Sequence, residues 1–386
     1  MTVNFFADFD PLQEIILGSV EPNLEPDPFL KQIWREVSED FLSIQNTLES
    51  RGVVVQRAKI INDLSNSQIS FNAHTVSERA SFPLAIRDFY LIAGSDILLT
   101  YGSYANRYFE DWHLYELFME YHRQGAGFES MPKPPSFNHP EFLNRSSTGV
   151  DFNVESFEDR ALVGLYKKKT LKQARDMSLK YNQRFMLYRT YLKDFLVFHA
   201  AGVAHLGDTL IRTRCGSELG CQWFDRWAKN KGFKVRVWDW AQGHIDGQIS
   251  FLRPGLYIAD RAIHEGIKQH DPDLAKWDAI VVDNSIAGDA MQSLDEILQY
   301  RNFDQYSTWL SEWTGMDQNF SFDVNLLSLD TDTIMIPETR SPVLDEFDRR
   351  GFEIVQVPWR HRHFVKNGLH CCSLETRRQG SLRSVF

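Results

Sequence analysis

The hydrophobic pattern of the chain repeats as a short unit, in which two strands joined by a tight turn precede an amphipathic helix and one more strand. The unit is clearest near the C-terminus, where apolar runs at 324–329 and 333–336 flank a polar turn. A helix capped by Ser341 and ended by Gly351 follows, and then a strand at 352–357. The pattern therefore predicts a ββαβ repeat.

Other parts of the chain predict the same unit, complete or in part. After Ala85 the pattern predicts strands at 89–93 and 97–101 and a helix at 104–124. The buried stripe of that helix is predicted to be Phe109, Trp112, Leu114, Phe118 and Tyr121. Further parts are a strand at 245–251 with one at 256–259, a helix at 217–231 with a strand at 233–238, and a helix at 28–52 with a strand at 53–55.

A single unit of this kind cannot bury both faces of its sheet, so several units must pack around an axis. We therefore expect one α/β domain over residues 1–386, with a radial arrangement of units instead of a doubly wound parallel sheet. The stretch at about 136–193 fits the repeat poorly and is predicted to be an insertion or lid.

Composition restricts the function without identifying it. Of the 386 residues, 43% are hydrophobic and 24% charged, as in a globular protein. The formal net charge of −10 disfavours a nucleic-acid partner. No basic N-terminal region precedes an apolar run, and no apolar run is long enough for a membrane span, so we expect a cytoplasmic protein without a membrane partner. Four cysteines are consistent with a reducing compartment.

Several residues could carry chemistry, although each has a plainer structural interpretation. Cys371 could be a nucleophile or simply a small buried residue. The adjacent cysteines Cys371 and Cys372 could form half of a zinc site, but the sequence has no second ligand pair at the required spacing. His244 and Asp246 are predicted on one face of a strand, and Asp88 just before another. His361 and His363 are predicted to be surface residues or a gate. No nucleotide-binding glycine loop or metal-ligand cluster is found, so we expect no cofactor.

A set of motifs spread along the chain carries a family resemblance. The motifs are DPLQEIILG at 10–18, RD at 87–88, NRYFE at 106–110, PKP at 132–134, SELG at 217–220, HID at 244–246, RPG at 253–255, HC at 370–371 and RR at 377–378. With these motifs the sequence resembles the arginine:glycine amidinotransferase family, including the related enzymes of cyanobacterial toxin pathways. The resemblance implies a five-bladed α/β propeller with a central funnel, and a homodimer.

The resemblance also implies a role for each site residue. Cys371 matches the nucleophile that attacks the guanidinium carbon, and His244 the general acid and base. Asp88 and Asp246 match carboxylates that grip the planar cation, and a neighbouring cation is expected to hold Cys371 as a thiolate. His199 stands where the family has a third catalytic residue, an aspartate. A neutral histidine can orient the catalytic imidazole but cannot stabilise its cation.

These features favour a cysteine-dependent ping-pong group transfer between a small-molecule donor and an amine acceptor. Amidino transfer from arginine to a primary amine, in specialised metabolism, is the leading hypothesis. Because His199 removes a negative charge, acyl transfer to an amine from an ester or a carrier-protein-bound thioester is an alternative. Hydrolysis, with water as the acceptor, is a further alternative if the funnel admits solvent to the covalent intermediate. The remaining alternative is an inactive propeller that acts as a binding protein.

Overall fold

The computed structural model describes residues 3–25, 28–61, 68–70, 77–79, 82–102, 110–133, 195–282, 322–339, 341–365 and 367–386. The predicted insertion or lid at 136–193 lies outside the described residues, so it stays a prediction. No helix among the residues described has the combination of length and apolar composition that crossing a membrane requires.

Five three-stranded sheets occur in the described part of the chain, and all five have the same construction. The first two strands of each sheet are antiparallel, a helix follows, and the third strand lies parallel to the second. This is the ββαβ unit that the sequence predicts, and the fold is a five-bladed α/β propeller. A separate two-stranded hairpin joins Gln68–Ser70 to Ser77–Arg79.

The blades are numbered in chain order. Blade 1 consists of strands Ser373–Arg378, Leu12–Leu17 and Val54–Arg57 with helix Pro28–Ser50. Blade 2 consists of strands Tyr90–Ala93, Asp96–Leu99 and Gly127–Ser130 with helix Trp112–Arg123. Blade 3 consists of strands Val203–Leu206, Thr209–Arg214 and Lys234–Gln242 with helix Glu218–Asn230. Blade 4 consists of strands Ile249–Arg253, Leu256–Asp260 and Asp278–Val282 with helix Arg261–His270. Blade 5 consists of strands Leu327–Ser328, Thr333–Pro337 and Glu353–Val357 with helix Val343–Arg349.

The helix boundaries follow from local chemistry. The Ser217 hydroxyl accepts a hydrogen bond of 3.0 Å from the Gly220 N–H, which caps the N-terminus of the blade 3 helix. Gly232 follows that helix with φ of 88°, a conformation that favours glycine. In the blade 2 helix, Leu114 and Phe118 are buried as predicted, but Trp112 is 54% exposed, so its assignment to the buried stripe is wrong.

Blade 1 closes the ring because its strands come from both ends of the chain. Strand Ser373–Arg378 pairs antiparallel with strand Leu12–Leu17. The buried Arg378 guanidinium reinforces this closure by donating hydrogen bonds to the carbonyls of Asp10 and Ser328, at 2.5 and 2.7 Å. The first and last blades of the repeat are thereby joined into a continuous structure.

The chain enters the first strand of each blade through a short turn, and we call these five the inner turns: 86–88, 199–202, 244–247, 323–326 and 368–372. The first three contain 3₁₀ helices. Hydrogen bonds join turns of different blades, such as the 2.9 Å bond from Arg87 Nε to the His370 carbonyl. The prediction of a strand from Ile245 is therefore wrong at its beginning, because the strand starts only at Ile249. His244 and Asp246 do not share a strand face.

Candidate active site

The inner turns bring the predicted site residues together. Asp88, His199, Asp246 and Cys371 come from four different blades and are buried, while the His244 side chain keeps 24% of its surface exposed. His244 Nδ1 lies 3.4 Å from Asp88 Oδ1, and its ring centre lies 5.2 Å from that of His199. Cys371 Sγ lies 3.0 Å from Asp246 Oδ2. The arrangement therefore combines a thiol, two imidazoles and two carboxylates.

Asn325 holds the thiol in place. Its side-chain nitrogen donates a hydrogen bond of 3.0 Å to Cys371 Sγ and another of 3.0 Å to the Asp246 carbonyl. Its side-chain oxygen accepts the Cys371 N–H at 3.1 Å. Sequence reasoning missed Asn325, although its position two residues before the first strand of blade 5 matches that of Asp88 in blade 2. This repeated position is the signal that could have found it.

Gly368 makes room for the Asn325 side chain. A Cβ atom added at Gly368 would lie 2.3 to 2.6 Å from the Asn325 side-chain atoms. Since real Cβ atoms do not approach other atoms so closely, a larger residue at this position would displace Asn325. The glycine in the GLHC segment therefore supports the cysteine that follows it.

The Cys371 thiol is neutral in the site as it stands. Burial raises its pKa well above the ordinary value, and the Asp246 and Asp88 carboxylates raise it further. The expectation that a neighbouring cation holds Cys371 as a thiolate is therefore wrong for the structure without a donor. A cation placed between the two carboxylates would cancel part of their charge and lower the thiol pKa.

Asp246 remains ionised although it is buried. Burial alone would raise its pKa. The hydrogen bond from His370, at 3.3 Å, and the positive charge nearby both act against burial, and together they lower the pKa to about 2. His370 in turn lies between Asp246 and Glu375, with its Nε2 at 3.7 Å from Glu375 Oε1. Burial and the Arg87 charge lower the pKa of His370. A permanent negative charge thus lies beside the thiol.

His244 is positioned to give a proton. Burial lowers the pKa of its imidazole, but the Asp88 carboxylate and Cys215 act in the opposite direction and raise it to about 10. The ring is therefore protonated at neutral pH. Because the His244 carbonyl also accepts a 2.6 Å hydrogen bond from Gln248 Nε2, the backbone at this residue is fixed.

His199 occupies a space that Gly102 leaves open. A Cβ atom at Gly102 would lie 2.5 Å from His199 Cε1 and 2.9 Å from Nδ1. The His199 N–H donates a 2.9 Å hydrogen bond to the carbonyl of Cys215, which brings these two residues side by side. Sequence reasoning did not single out Cys215, because nothing in the local pattern distinguishes it from a core cysteine.

The remaining histidine prediction is wrong where it can be checked. His361 is 3% exposed, and its Nε2 lies 2.6 Å from Glu36 Oε2 of the blade 1 helix. It is therefore a buried partner of a carboxylate and not a surface residue. The side chain of His363 lies outside the described part of the structure.

Comparison with known proteins identifies relatives of this chain among the amidinotransferases. The sequence matches no protein-family model. It is 23% identical to the mitochondrial glycine amidinotransferase of Xenopus tropicalis, with 99% of this chain and 84% of the relative covered. It is also 23% identical to the L-arginine:L-lysine amidinotransferase of Pseudomonas savastanoi pv. phaseolicola, with 99% and 96% covered. The chain is a homologue of the amidinotransferases. The resemblance read from the sequence motifs is thus confirmed, and these relatives are transferases.

A solved structure supports the architecture of this amidinotransferase homologue. An amidinotransferase of the saxitoxin biosynthetic pathway from Microseira wollei superposes with a TM-score of 0.66 at 20% identity, and all of both chains is covered. The likeness confirms the radial α/β fold. It extends over the whole chain.

Proposed function

We propose that this protein transfers an amidino group from arginine to a primary amine, with Cys371 as the covalent carrier. The contact that supports this proposal most strongly is the one between Cys371 Sγ and Asp246 Oδ2, at 3.0 Å. A guanidinium that is hydrogen-bonded to Asp246 would present its carbon close to the sulfur. Two carboxylates at one site suit a planar cation with several N–H donors.

Donor binding would activate the nucleophile. The guanidinium charge offsets the charges of Asp88 and Asp246, which are the groups that raise the thiol pKa. The thiol then loses its proton more easily in the presence of the donor than in its absence. Reaction with stray electrophiles is disfavoured until a donor is bound.

The two half-reactions balance through His244. In the first, an S–C bond forms between Cys371 and the guanidinium carbon while the C–N bond to ornithine breaks. His244 gives its proton to the departing amine, and the thiol proton replaces the one that His244 has lost. In the second, a primary amine attacks the amidino carbon and the C–S bond breaks. His244 gives its proton to the departing sulfur and takes one from the attacking amine nitrogen, so it ends protonated as it began.

Asp88 supplies the charge that His199 cannot. In this site the carboxylate within 3.4 Å of His244 Nδ1 belongs to Asp88. It stabilises the imidazolium, while the His199 ring, whose centre lies 5.2 Å from that of His244, limits the space open to the His244 ring. The replacement of a carboxylate by His199 is therefore compatible with proton donation by His244.

Isotope exchange tests the proposal without knowledge of the acceptor. A covalent carrier should exchange labelled ornithine into arginine in the absence of any other amine. Cys371→Ser should abolish the exchange, and Cys372→Ser, which removes a thiol that packs in a separate apolar cluster, should keep it. Exchange that survives in Cys371→Ser would refute the covalent role of this residue. If wild-type protein instead forms an adduct only with an acyl thioester, the acyl-transfer alternative replaces amidino transfer, and inertness towards both would favour a binding protein.

The acceptor follows from the same assay. Once exchange is established, a panel of primary amines identifies the acceptor as the compound that becomes amidinated at the expense of arginine. We place this acceptor in specialised metabolism because a structural relative belongs to the saxitoxin pathway.

The homodimer implied by the family resemblance is tested separately by light scattering, and a monomeric mass would contradict it.

A further inference from the structure

A second cysteine joins two histidines beside the carboxylates. Among the described residues, His199, Cys215 and His244 offer ligand atoms that all lie within 4.8 Å of one another. The transfer reaction proposed above uses His244 but gives Cys215 no role. We propose that His199, Cys215 and His244 form a zinc-binding site, and that zinc bound there inhibits the protein by occupying the proton donor.

Hydrogen bonds join the chain segments that carry the three ligands. The His199 N–H donates to the Cys215 carbonyl at 2.9 Å, and the Gly202 N–H donates to the His199 carbonyl at 3.0 Å. The Thr213 hydroxyl donates to the Gly243 carbonyl at 2.5 Å, which joins the segment before Cys215 to the one before His244. The ligands thus lie on three backbone segments that already contact one another, so metal binding requires side-chain rotation and replacement of the His244 proton by the metal.

The donor set suits zinc. Two imidazole nitrogens and one thiolate are borderline-soft ligands, and zinc accepts them at about 2.0–2.3 Å in tetrahedral geometry. Three protein ligands leave a fourth position for water. His199 and Cys215 are 6% and 4% exposed, whereas the His244 side chain is 24% exposed, so this last ligand is the one that solvent reaches.

Asp88 completes the surroundings of the site. Metal-binding histidines usually hold a carboxylate on the nitrogen that does not bind the metal. Asp88 Oδ1 lies 3.4 Å from His244 Nδ1, which leaves Nε2 of His244 for the metal. The same nitrogen is then unable to donate a proton to a departing amine, so zinc occupancy and group transfer exclude each other.

The histidine at position 199 contributes to the preference of this site for zinc. An aspartate at position 199 would exchange a nitrogen ligand for a harder oxygen ligand and weaken the preference for zinc. The three protein ligands of the zinc site are independent of the donor, so the site stands whether or not arginine is the donor.

Cobalt substitution tests the site with a spectroscopic signal. One equivalent of Co²⁺ should give a thiolate-to-metal charge-transfer band in the wild-type protein. Cys215→Ser should lose the band, and Zn²⁺ affinity should fall by about 100-fold or more, since the ligand itself is removed. Two controls should keep the band: Cys371→Ser, which removes the proposed nucleophile, and Cys221→Ser, which removes another buried thiol of blade 3. A band that persists in Cys215→Ser, or disappears in Cys371→Ser, would overturn the assignment.

X-ray absorption of the wild-type protein loaded with Zn²⁺ needs no variant. The expected first shell contains one sulfur at about 2.3 Å and nitrogen or oxygen atoms at about 2.0–2.1 Å. A shell without sulfur would overturn the proposal even if Cys215→Ser did not fold. Arginine–ornithine exchange without the cobalt band refutes the zinc site alone, and the band without exchange refutes the proposed transfer alone.

Discussion

The Cys371 thiol donates a hydrogen bond of 3.0 Å to the Asp246 carboxylate, and the same carboxylate is held by His370. The thiol and its anionic neighbour come from blades 1 and 4, which lie far apart in the sequence. This contact keeps the sulfur protonated until another positive charge enters the site. It makes the reactivity of Cys371 depend on the donor.

Replacement of Asp246 should separate thiol acidity from donor binding. In Asp246→Asn the lost negative charge lowers the Cys371 pKa. Alkylation of Cys371 without donor should therefore accelerate by about threefold for each unit of pKa change, because the larger thiolate fraction is partly offset by its weaker nucleophilicity. The KM for arginine should rise at the same time, because a carboxylate partner of the cation is gone. Mass spectrometry of the Cys371 peptide gives the alkylation rate. Asp239→Asn, on a 69% exposed side chain paired with Arg214, is the control and should change neither quantity. Slower alkylation in Asp246→Asn would contradict the electrostatic interpretation.

Asn325 should affect the chemical step more than donor binding. Asn325→Ala removes the hydrogen bonds to Cys371 Sγ and to the Cys371 N–H. Because the sulfur becomes a thiolate when the donor is bound, the lost hydrogen bond is then one to a charged group. Such a loss costs about 1.5–3 kcal/mol, which corresponds to a fall in kcat of roughly 10- to 100-fold. Steady-state kinetics of arginine–ornithine exchange should show this fall with little change in KM. Asn367→Ala removes only a bond to the Val365 carbonyl and serves as the control. A purely KM effect would show that Asn325 binds the donor.

His244 links stability to pH. Its folded-state pKa of about 10 lies above the ordinary value of 6.5. The stability that its protonation contributes is therefore fully present below about pH 6.5 and disappears as the pH rises through about 10. Urea unfolding of the wild type and of His244→Asn should give free energies that differ most at the acidic end of this window and converge above it. A difference that grows with pH would show that His244 is neutral in the folded protein.

His199 and Gly102 should be energetically coupled. Gly102→Ala places a Cβ atom 2.5 Å from His199 Cε1, so it should displace the imidazole and reduce exchange activity. His199→Asp should raise arginine turnover, because the carboxylate adds stabilisation of the His244 cation. In the double variant the shorter aspartate removes the contact, so the effect of Gly102→Ala should be smaller than in the wild type. Equal effects in both backgrounds would show that the contact does not position His199 for the reaction.

The repeat could be predicted from sequence because its signals are local. The residues that begin and end the blade 3 helix, Ser217 and Gly232, are recognisable from their types and positions in the sequence. The helix between them can therefore be predicted without tertiary information. The pairing of strand Ser373–Arg378 with Leu12–Leu17 has no such local signal, since it joins the two ends of the chain.

The candidate site was predictable in part for the same reason. Cys371 and His244 belong to motifs that can be compared with a family, whereas Asn325 and Cys215 acquire their positions only when the blades assemble. The neutral state of the Cys371 thiol is also a tertiary property, because burial and carboxylates from blades 2 and 4 produce it together.

The most direct test of the account is to follow the guanidino carbon itself. Arginine labelled at that carbon should be incubated with the protein without an acceptor, quenched in acid and digested. The account predicts label on the Cys371 peptide, and transfer of that label to an added primary amine before quenching. Label on another residue, or an amidinated amine formed by Cys371→Ser at the wild-type rate, would contradict it.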